Sequence, residues 1–380
     1  MGKRIRLGYI YLYDSGWLGG VYYAQNLLKA LNTLEDEKKP IIDVHCLDDK
    51  AYEDLSENTH YPYLEKYLVK KVFWKRALCK FLDIIVPRLS YNISTIRLNQ
   101  RDDVFYPWCN GRCTKKLIMW RPDFQEKHLP QYFEKNDIRR RDREIYFTCK
   151  RSVPIIFSSY DSKNDFYNYF PELRNSLTYV VHFAAALPDF TNIDIENVRR
   201  KFQINKRYLL CTNQFWRHKN HLFLFKTFVQ AVKNGLDLQL VCTGKLEDYR
   251  NPNYIQKIHN FLHENNANND ILTLGLIDKK ELLCLMKHSY AVIQPSLFEG
   301  WNTTVEECKA LNKFVFLSDL PVHREQIDKN VCFFNPNDEE DLKNKLLEIV
   351  PREEYFDYSL NVKAFGEDIY RAITMSYIQN

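Results

Sequence analysis

From Arg207 onward the chain alternates short apolar runs with helical stretches, and no other feature constrains its fold as tightly. RYLLCTN (Arg207 to Asn213), DLQLVCTG, ILTLG, YAVIQPS, FVFLSD and VCFF each read as a strand. Between them lie HLFLFKTFVQAVKNG (His221 to Gly235), NYIQKIHNFLHENN, DKKELLCLMKHS and a helix from about Thr303 to Leu311. A strand apolar along its whole length is covered on both faces, and strands separated by such helices pair in parallel. The spacing predicts a doubly wound α/β sheet.

The same order opens the chain. IRLGYIYLY (Ile5 to Tyr13) reads as a buried strand, Asp14 to Gly20 as a glycine-bearing turn, and Val21 to Leu34 as a helix. IIDVHCL, KLIMW, VPIIFSS and LTYVVHF are further strands of this first series. Two series in one chain predict two Rossmann-like domains with parallel sheets. The expected boundaries are 1–188 for the first domain, 189–205 for a polar connection with a short helix, and 206–355 for the second. A last helical stretch, 356–380, is expected to return to the first domain.

Composition excludes some classes. Hydrophobic residues make up 45% and charged residues 27% of 380 residues, as in soluble globular proteins. No apolar run is long enough to cross a bilayer, and the N-terminus has no signal-peptide pattern, so a cytoplasmic location is the expectation. Ten cysteines include one close pair, Cys109 and Cys113, without the partners of a zinc set; Cys211, Cys242 and Cys332 lie in apolar runs. Net charge is only +5, but KYLVKKVFWKRALCKFLDIIVPR (Lys66 to Arg88) concentrates lysine, arginine and aromatic residues. It reads as a basic amphipathic helix, suited to an anionic membrane surface or to an ordinary solvated face. The aromatic residues are not arranged as a stacking sheet, which argues against a nucleic-acid partner.

Ligands of open parallel sheets bind beyond the C-terminal strand ends, and the polar residues worth singling out cluster there. SLFEGWNTTVEECKAL (Ser296 to Leu311) places Glu299 and Glu307 eight apart around a strand-to-helix turn at Gly300. Gly300 permits close backbone approach, and the amides of Gly300, Trp301, Asn302, Thr303 and Thr304 open a helix N-terminus suited to a diphosphate. Asn302 is a cap candidate, and Thr303 and Thr304 add hydroxyls. Glu307 suits two vicinal ribose hydroxyls, and Glu299 a sugar hydroxyl. In TNQFWRHKNH (Thr212 to His221), Lys219 stands at a strand end, where a cation neutralises phosphate charge.

These stretches resemble the Glu-x7-Glu motif and lysine-bearing loop of the family-4 retaining glycosyltransferases (glycosyl transferases group 1), which have the GT-B fold. The resemblance implies that the two parallel sheets face each other across a cleft, the second domain holding a nucleotide sugar and the first an acceptor. It implies Lys219 on the donor phosphates, Glu307 on the ribose and transfer with retention of configuration. Many relatives carry an arginine where this chain has Gln214, and Arg217 is the substitute cation nearby. Gly19 and Gly20 match the loop that faces the diphosphate from the first domain. MWRPDFQEKHLPQYF resembles a first-domain loop reaching donor sugar or acceptor, with Asp123, Gln125 and His128 as candidates and Pro122 where some relatives have histidine. His182 ends a strand, where a core histidine is the commoner explanation.

The expected enzyme moves a sugar from a nucleotide-diphosphate donor to a glycan or lipid-linked acceptor. Its catalytic candidates are Lys219, Glu299, Asp123 and His128. No Asp-x-Asp pair occurs, so neither a metal nor a cofactor is expected. Tyr22, Tyr23, Tyr106, Trp108 and Trp120 fit a sugar-stacking acceptor surface as well as core packing. Two rivals share the fold: a GT-B sugar-nucleotide epimerase, and a non-catalytic membrane-associated adaptor, which Gln214 favours. Retained Lys219, Glu299 and Glu307 speak against the adaptor, and nucleotide titration separates the two classes.

Overall fold

The computed structural model describes residues 3–11, 18–70, 73–85, 97–108, 116–248 and 250–378. The chain divides into two compact units, Met1–Ala186 with Ser359–Asn380, and Leu187–Tyr358.

The first unit is built on a seven-stranded parallel sheet, ordered β3-β2-β1-β4-β5-β6-β7. Its strands are β1 (Arg6–Ile10), β2 (Ile41–Cys46), β3 (Leu64–Leu68), β4 (Val104–Trp108), β5 (Leu117–Arg121), β6 (Ile155–Phe157) and β7 (Thr178–Val180). One face carries Phe105, Met119, Ile155 and Phe157 into a cluster with Ile145 and Phe166 from helices Lys135–Lys150 and Tyr160–Tyr169. Elsewhere Tyr23 of helix Leu18–Asn32 stacks on Trp120, centroids 4.2 Å apart, and meets Phe183 and Phe365. Tyr23, Tyr106 and Trp120, read as candidates for sugar stacking, are thus core residues; their rings fill the space beside the sheet.

Helix Ser359–Ile378 closes this unit. Gly366 crosses helix Leu18–Asn32 so closely that a Cβ there would lie 2.3 Å from the Ala30 carbonyl oxygen. Only a residue without a side chain fits.

Two expectations need correction. Gly19 and Gly20 are not in a turn: helix Leu18–Asn32 begins before them, so both occupy its first turn. Residues 12–17 and Cys109 and Cys113 lie outside the described residues. The stretch read as one helix from Lys66 to Arg88 begins within strand β3, whose exposed and half-buried residues suit a sheet edge; the helix spans Phe73–Ile85. Lys66 pairs with Asp49 at 2.6 Å, and Arg88 lies outside the described residues.

The second unit carries a six-stranded parallel sheet ordered β10-β9-β8-β11-β12-β13. Its strands are β8 (Tyr208–Cys211), β9 (Gln239–Cys242), β10 (Ile271–Thr273), β11 (Ala291–Gln294), β12 (Val315–Ser318) and β13 (Val331–Phe334). Alternate side chains serve opposite faces. Leu209, Cys211, Leu240 and Ile293 join Leu224, Phe228, Ile258 and Leu342 from helices His221–Lys233, Asn253–Glu264 and Glu339–Glu348. Leu210, Val241, Val292 and Val315 join Val198, Leu285, Met286 and Val305 from helices Ile195–Lys201, Lys279–His288 and Thr303–Leu311. That two-sided covering is why these strands read as unbroken apolar runs. Val198 and Ile204, in the stretch expected to connect the domains, belong to this core.

Candidate functional site

Strand order in the second sheet reverses between β8 and β11, which are neighbours although three helices separate them in sequence. The loops leaving such a pair diverge, one toward each face, and open a crevice beyond the strand ends. Lys219 stands on the loop after β8; Glu299 and Glu307 follow β11.

The two loops are bonded to each other. The Lys219 ammonium lies 2.6 Å from Glu299 Oε1, with both side chains largely buried. Asn302 Nδ2 donates to the same oxygen at 3.3 Å. The Leu297 amide donates to the His218 carbonyl at 2.8 Å, and Thr212 Oγ1 lies 2.7 Å from Thr304 Oγ1. Lys219 and Glu299, predicted as separate contacts to donor groups, thus form an ion pair. An ammonium has three N–H donors, so this pairing uses only part of its capacity.

Asn302 caps helix Thr303–Leu311, accepting from the Thr304 and Val305 amides at 2.9 and 3.3 Å. Gln326 holds Asn302 in turn: its Oε1 accepts from the Asn302 amide at 3.2 Å and its Nε2 donates to the Asn302 carbonyl at 2.8 Å. Part of the stretch expected to cradle a phosphate, Gly300 to Thr304, is therefore bonded within the protein. The amides of Asn302 and Thr304 are engaged within the protein, and Gly300 and Thr303 stand outside that cap. Trp301 is half-buried in the same loop.

Glu307, 4% exposed, sits in the second turn of this helix and accepts a hydrogen bond from Lys279. Lys279 is the first residue of helix Lys279–His288, and Asp278 caps that helix through the Lys280 and Glu281 amides. The neighbouring Glu306 is buried in a different network, with Gln326, Lys309 and Tyr358.

Gln214 braces the backbone, its Oε1 accepting from the Lys245 amide at 2.9 Å. Arg217 is exposed, and its amide donates to Asp248 at 2.8 Å. His323 was not singled out in the sequence. It is fully buried on helix Pro321–Gln326 and bonds through Nδ1 to the Ser318 carbonyl at 2.7 Å. Burial pushes its pKa down, with Glu299 acting in the opposite direction.

The remaining candidates belong to the first unit. Asp123 Oδ1 accepts from the Gln125 amide at 3.0 Å, a local turn just ahead of the short helix Gln125–His128. His128 Nε2 lies 2.6 Å from Asp165 Oδ2, and that carboxylate raises the histidine's pKa. His182 is half-buried with Tyr160 edge-on, centroids 5.6 Å apart. Among the described residues, Asp43, His45 and Asp102 bring potential metal-ligand atoms within 4.8 Å of one another. His45 Nε2 lies 2.7 Å from Asp102, Asn99 donates to Asp43, and Arg6 stands 3.8 Å from Asp102. His45 and Asn99 thus each bond one of the two carboxylates, while Asp102 Oδ1 is buried without a hydrogen bond among the described residues.

A doubly wound unit with a lysine and a glutamate paired at its switch point has the architecture in which open α/β sheets bind ligands. Residues 194–358 match the family described as glycosyl transferases group 1. O-antigen chain mannosyltransferase RfbU of Salmonella typhimurium is 25% identical over 202 residues, 53% of this chain and 51% of that protein. The chain thus spans about half the length of that curated relative. Among solved structures, a glycosyltransferase from Rickettsia africae covers 100% of this chain and 94% of its own at 14% identity and TM-score 0.62. Anabaena HepE in complex with UDP and glucose covers 98% and 96% at 14% identity and TM-score 0.65. WaaG, a glycosyltransferase involved in lipopolysaccharide biosynthesis, covers 98% and 95% at 11% identity and TM-score 0.59. The fold of both units is that of GT-B glycosyltransferases.

Proposed function

We propose that this chain is a metal-independent, retaining glycosyltransferase. It moves a sugar from a nucleotide-diphosphate donor to a hydroxyl of a glycan or lipid-linked glycan of surface-polysaccharide or lipopolysaccharide type. The observation that carries this function is the Lys219–Glu299 ion pair at the switch point of the unit that the group 1 family matches, with Glu307 on the helix that follows Glu299. Support for the substrate class comes from the O-antigen chain activity in the name of RfbU and from the UDP and glucose bound by HepE.

In the reaction the bond between the anomeric carbon and the diphosphate oxygen breaks, and the acceptor oxygen bonds to the same face of that carbon. The acceptor proton passes to the departing diphosphate. Negative charge grows on the phosphate as it leaves, and Lys219 with the Gly300 and Thr303 amides offers fixed positive charge and dipoles to meet it. Glu299 holds the Lys219 ammonium in place through its carboxylate. Lys219→Ala and Glu307→Ala are expected to cut turnover of a nucleotide sugar by about 10²-fold or more. Wild-type activity in either variant, or release of an epimerised nucleotide sugar in place of transfer, overturns the assignment.

A second proposal concerns location at the cytoplasmic face of a membrane. Helix Phe73–Ile85 exposes Trp74, Leu78 and Phe81, which recur at helical spacing along one stripe, in a sequence rich in lysine. No helix of the described residues is long and apolar enough to cross a bilayer, whereas such a stripe suits lying on one. Co-sedimentation with phosphatidylglycerol vesicles is expected for the wild type and lost in Trp74→Ser/Phe81→Ser. Equal sedimentation of both proteins removes the membrane role.

A further inference from the structure

We infer that Lys279 is a positioning residue for Glu307, and through it makes the site distinguish ribonucleotide from 2′-deoxyribonucleotide donors. The inference rests on the donor function proposed above and names a residue that function does not need. Glu307 and Glu306 are adjacent and both buried, yet they serve different ends. Glu306 is enclosed by Gln326, Lys309 and Tyr358 and holds the helix in place. Glu307 instead meets a lysine from another crossover: Lys279 follows β10, Glu307 follows β11, and β9 and β8 lie between those strands in the sheet. The ion pair therefore joins the start of helix Lys279–His288 to helix Thr303–Leu311.

Its physical consequence concerns charge and direction. A carboxylate that is only 5% exposed pays a large desolvation penalty as an anion unless a cation or hydrogen bonds compensate it. Lys279 supplies that cation at Oε1 while itself remaining 21% exposed. Its backbone is fixed because Asp278, just before it, caps the first turn through the Lys280 and Glu281 amides that follow it. An ionised carboxylate has about four lone-pair sites, so Lys279 and two vicinal hydroxyls are accommodated together. A protonated or rotated Glu307 loses acceptors, and the hydroxyls lose their partner. Charge-assisted hydrogen bonds are the stronger kind, which makes the 2′-hydroxyl contact sensitive to this pairing.

The test measures binding of UDP, GDP and ADP and of their 2′-deoxy counterparts by titration calorimetry to wild type, Lys279→Met, Lys279→Arg and Glu307→Gln. Wild type is expected to prefer the ribonucleotide of its base by about tenfold or more. In Lys279→Met that ratio falls toward one, mainly through weaker ribonucleotide binding, and Lys279→Arg restores most of it. Lys279→Met added to Glu307→Gln is expected to cause little further loss, which keeps the test valid should the single variant be unstable. An unchanged ratio, or equal weakening of both nucleotides in Lys279→Met, overturns the role of Lys279 while leaving the donor function standing. Failure of the wild type to bind any of the six nucleotides defeats the donor function itself, and this inference with it.

Discussion

His128 and Asp165 form the most strongly polarised contact among the first unit's candidates, a 2.6 Å bond with the histidine side chain 38% exposed. The Asp165 carboxylate raises the histidine's pKa above 6.5, and burial works against it. A histidine whose folded pKa is raised contributes stability that is fully present below about pH 6.5 and is lost as pH rises through the folded value. NMR titration is expected to place the His128 midpoint above 6.5, and Asp165→Asn to lower it. An unmoved midpoint in the variant means that Asp165 does not govern this proton. The sequence pointed to His128 through its loop alone; Asp165 is 37 residues away, and only the packing of the Tyr160–Tyr169 helix brings it there. Lys279 was missed for another reason. It stands at a strand end beside a helix start, as Lys219 does, but nothing in the spacing ties it to Glu307. Asn302, by contrast, was legible as a cap because the signal is local.

Among elements, the second sheet was readable almost strand by strand, since residues covered on both faces leave an unbroken apolar record. The edge strand β3 left no such record: Glu65 and Lys66 are exposed, and their charges merged with the helix that follows. β4 and the helices Asp49–Thr59 and Lys135–Lys150, amid charged sequence, were also unmarked. The loop after β9 shows what a single residue does for an element. Gly244 has φ +135°, and a Cβ there would lie 2.1 Å from the Asn213 carbonyl oxygen. That close approach brings the loop after β9 against the loop after β8, where Gln214 accepts from the Lys245 amide. Gly244→Ala combines a disfavoured backbone with a clash against main chain, and is expected to destabilise the second unit by about 2 kcal/mol or more. Chemical denaturation checks this, and a midpoint equal to wild type removes the packing argument.

For the whole molecule, the chain's path matters more than its order of elements. The last helix, Ser359–Ile378, is remote in sequence from Leu18–Asn32 yet packs on it, because Gly366 lets the two backbones meet. The first unit is therefore incomplete until residues 359–378 have been made, whereas the second, Leu187–Tyr358, is continuous and has core clusters on both faces of its own sheet. Lys219, Glu299, Glu307 and Lys279 all lie within that continuous unit. A fragment of residues 187–358 is thus expected to unfold cooperatively and to be stabilised by the nucleoside diphosphate that the full chain prefers, by about 2.7 kcal/mol at a hundredfold excess over Kd. A fragment of residues 1–186 lacks the cover for Tyr23 and Phe183 that Phe365 provides, and is expected to show no cooperative transition. Calorimetry of both fragments decides the matter: a folded 187–358 that no nucleoside diphosphate stabilises would mean that the lysine and glutamates do not by themselves make a donor site.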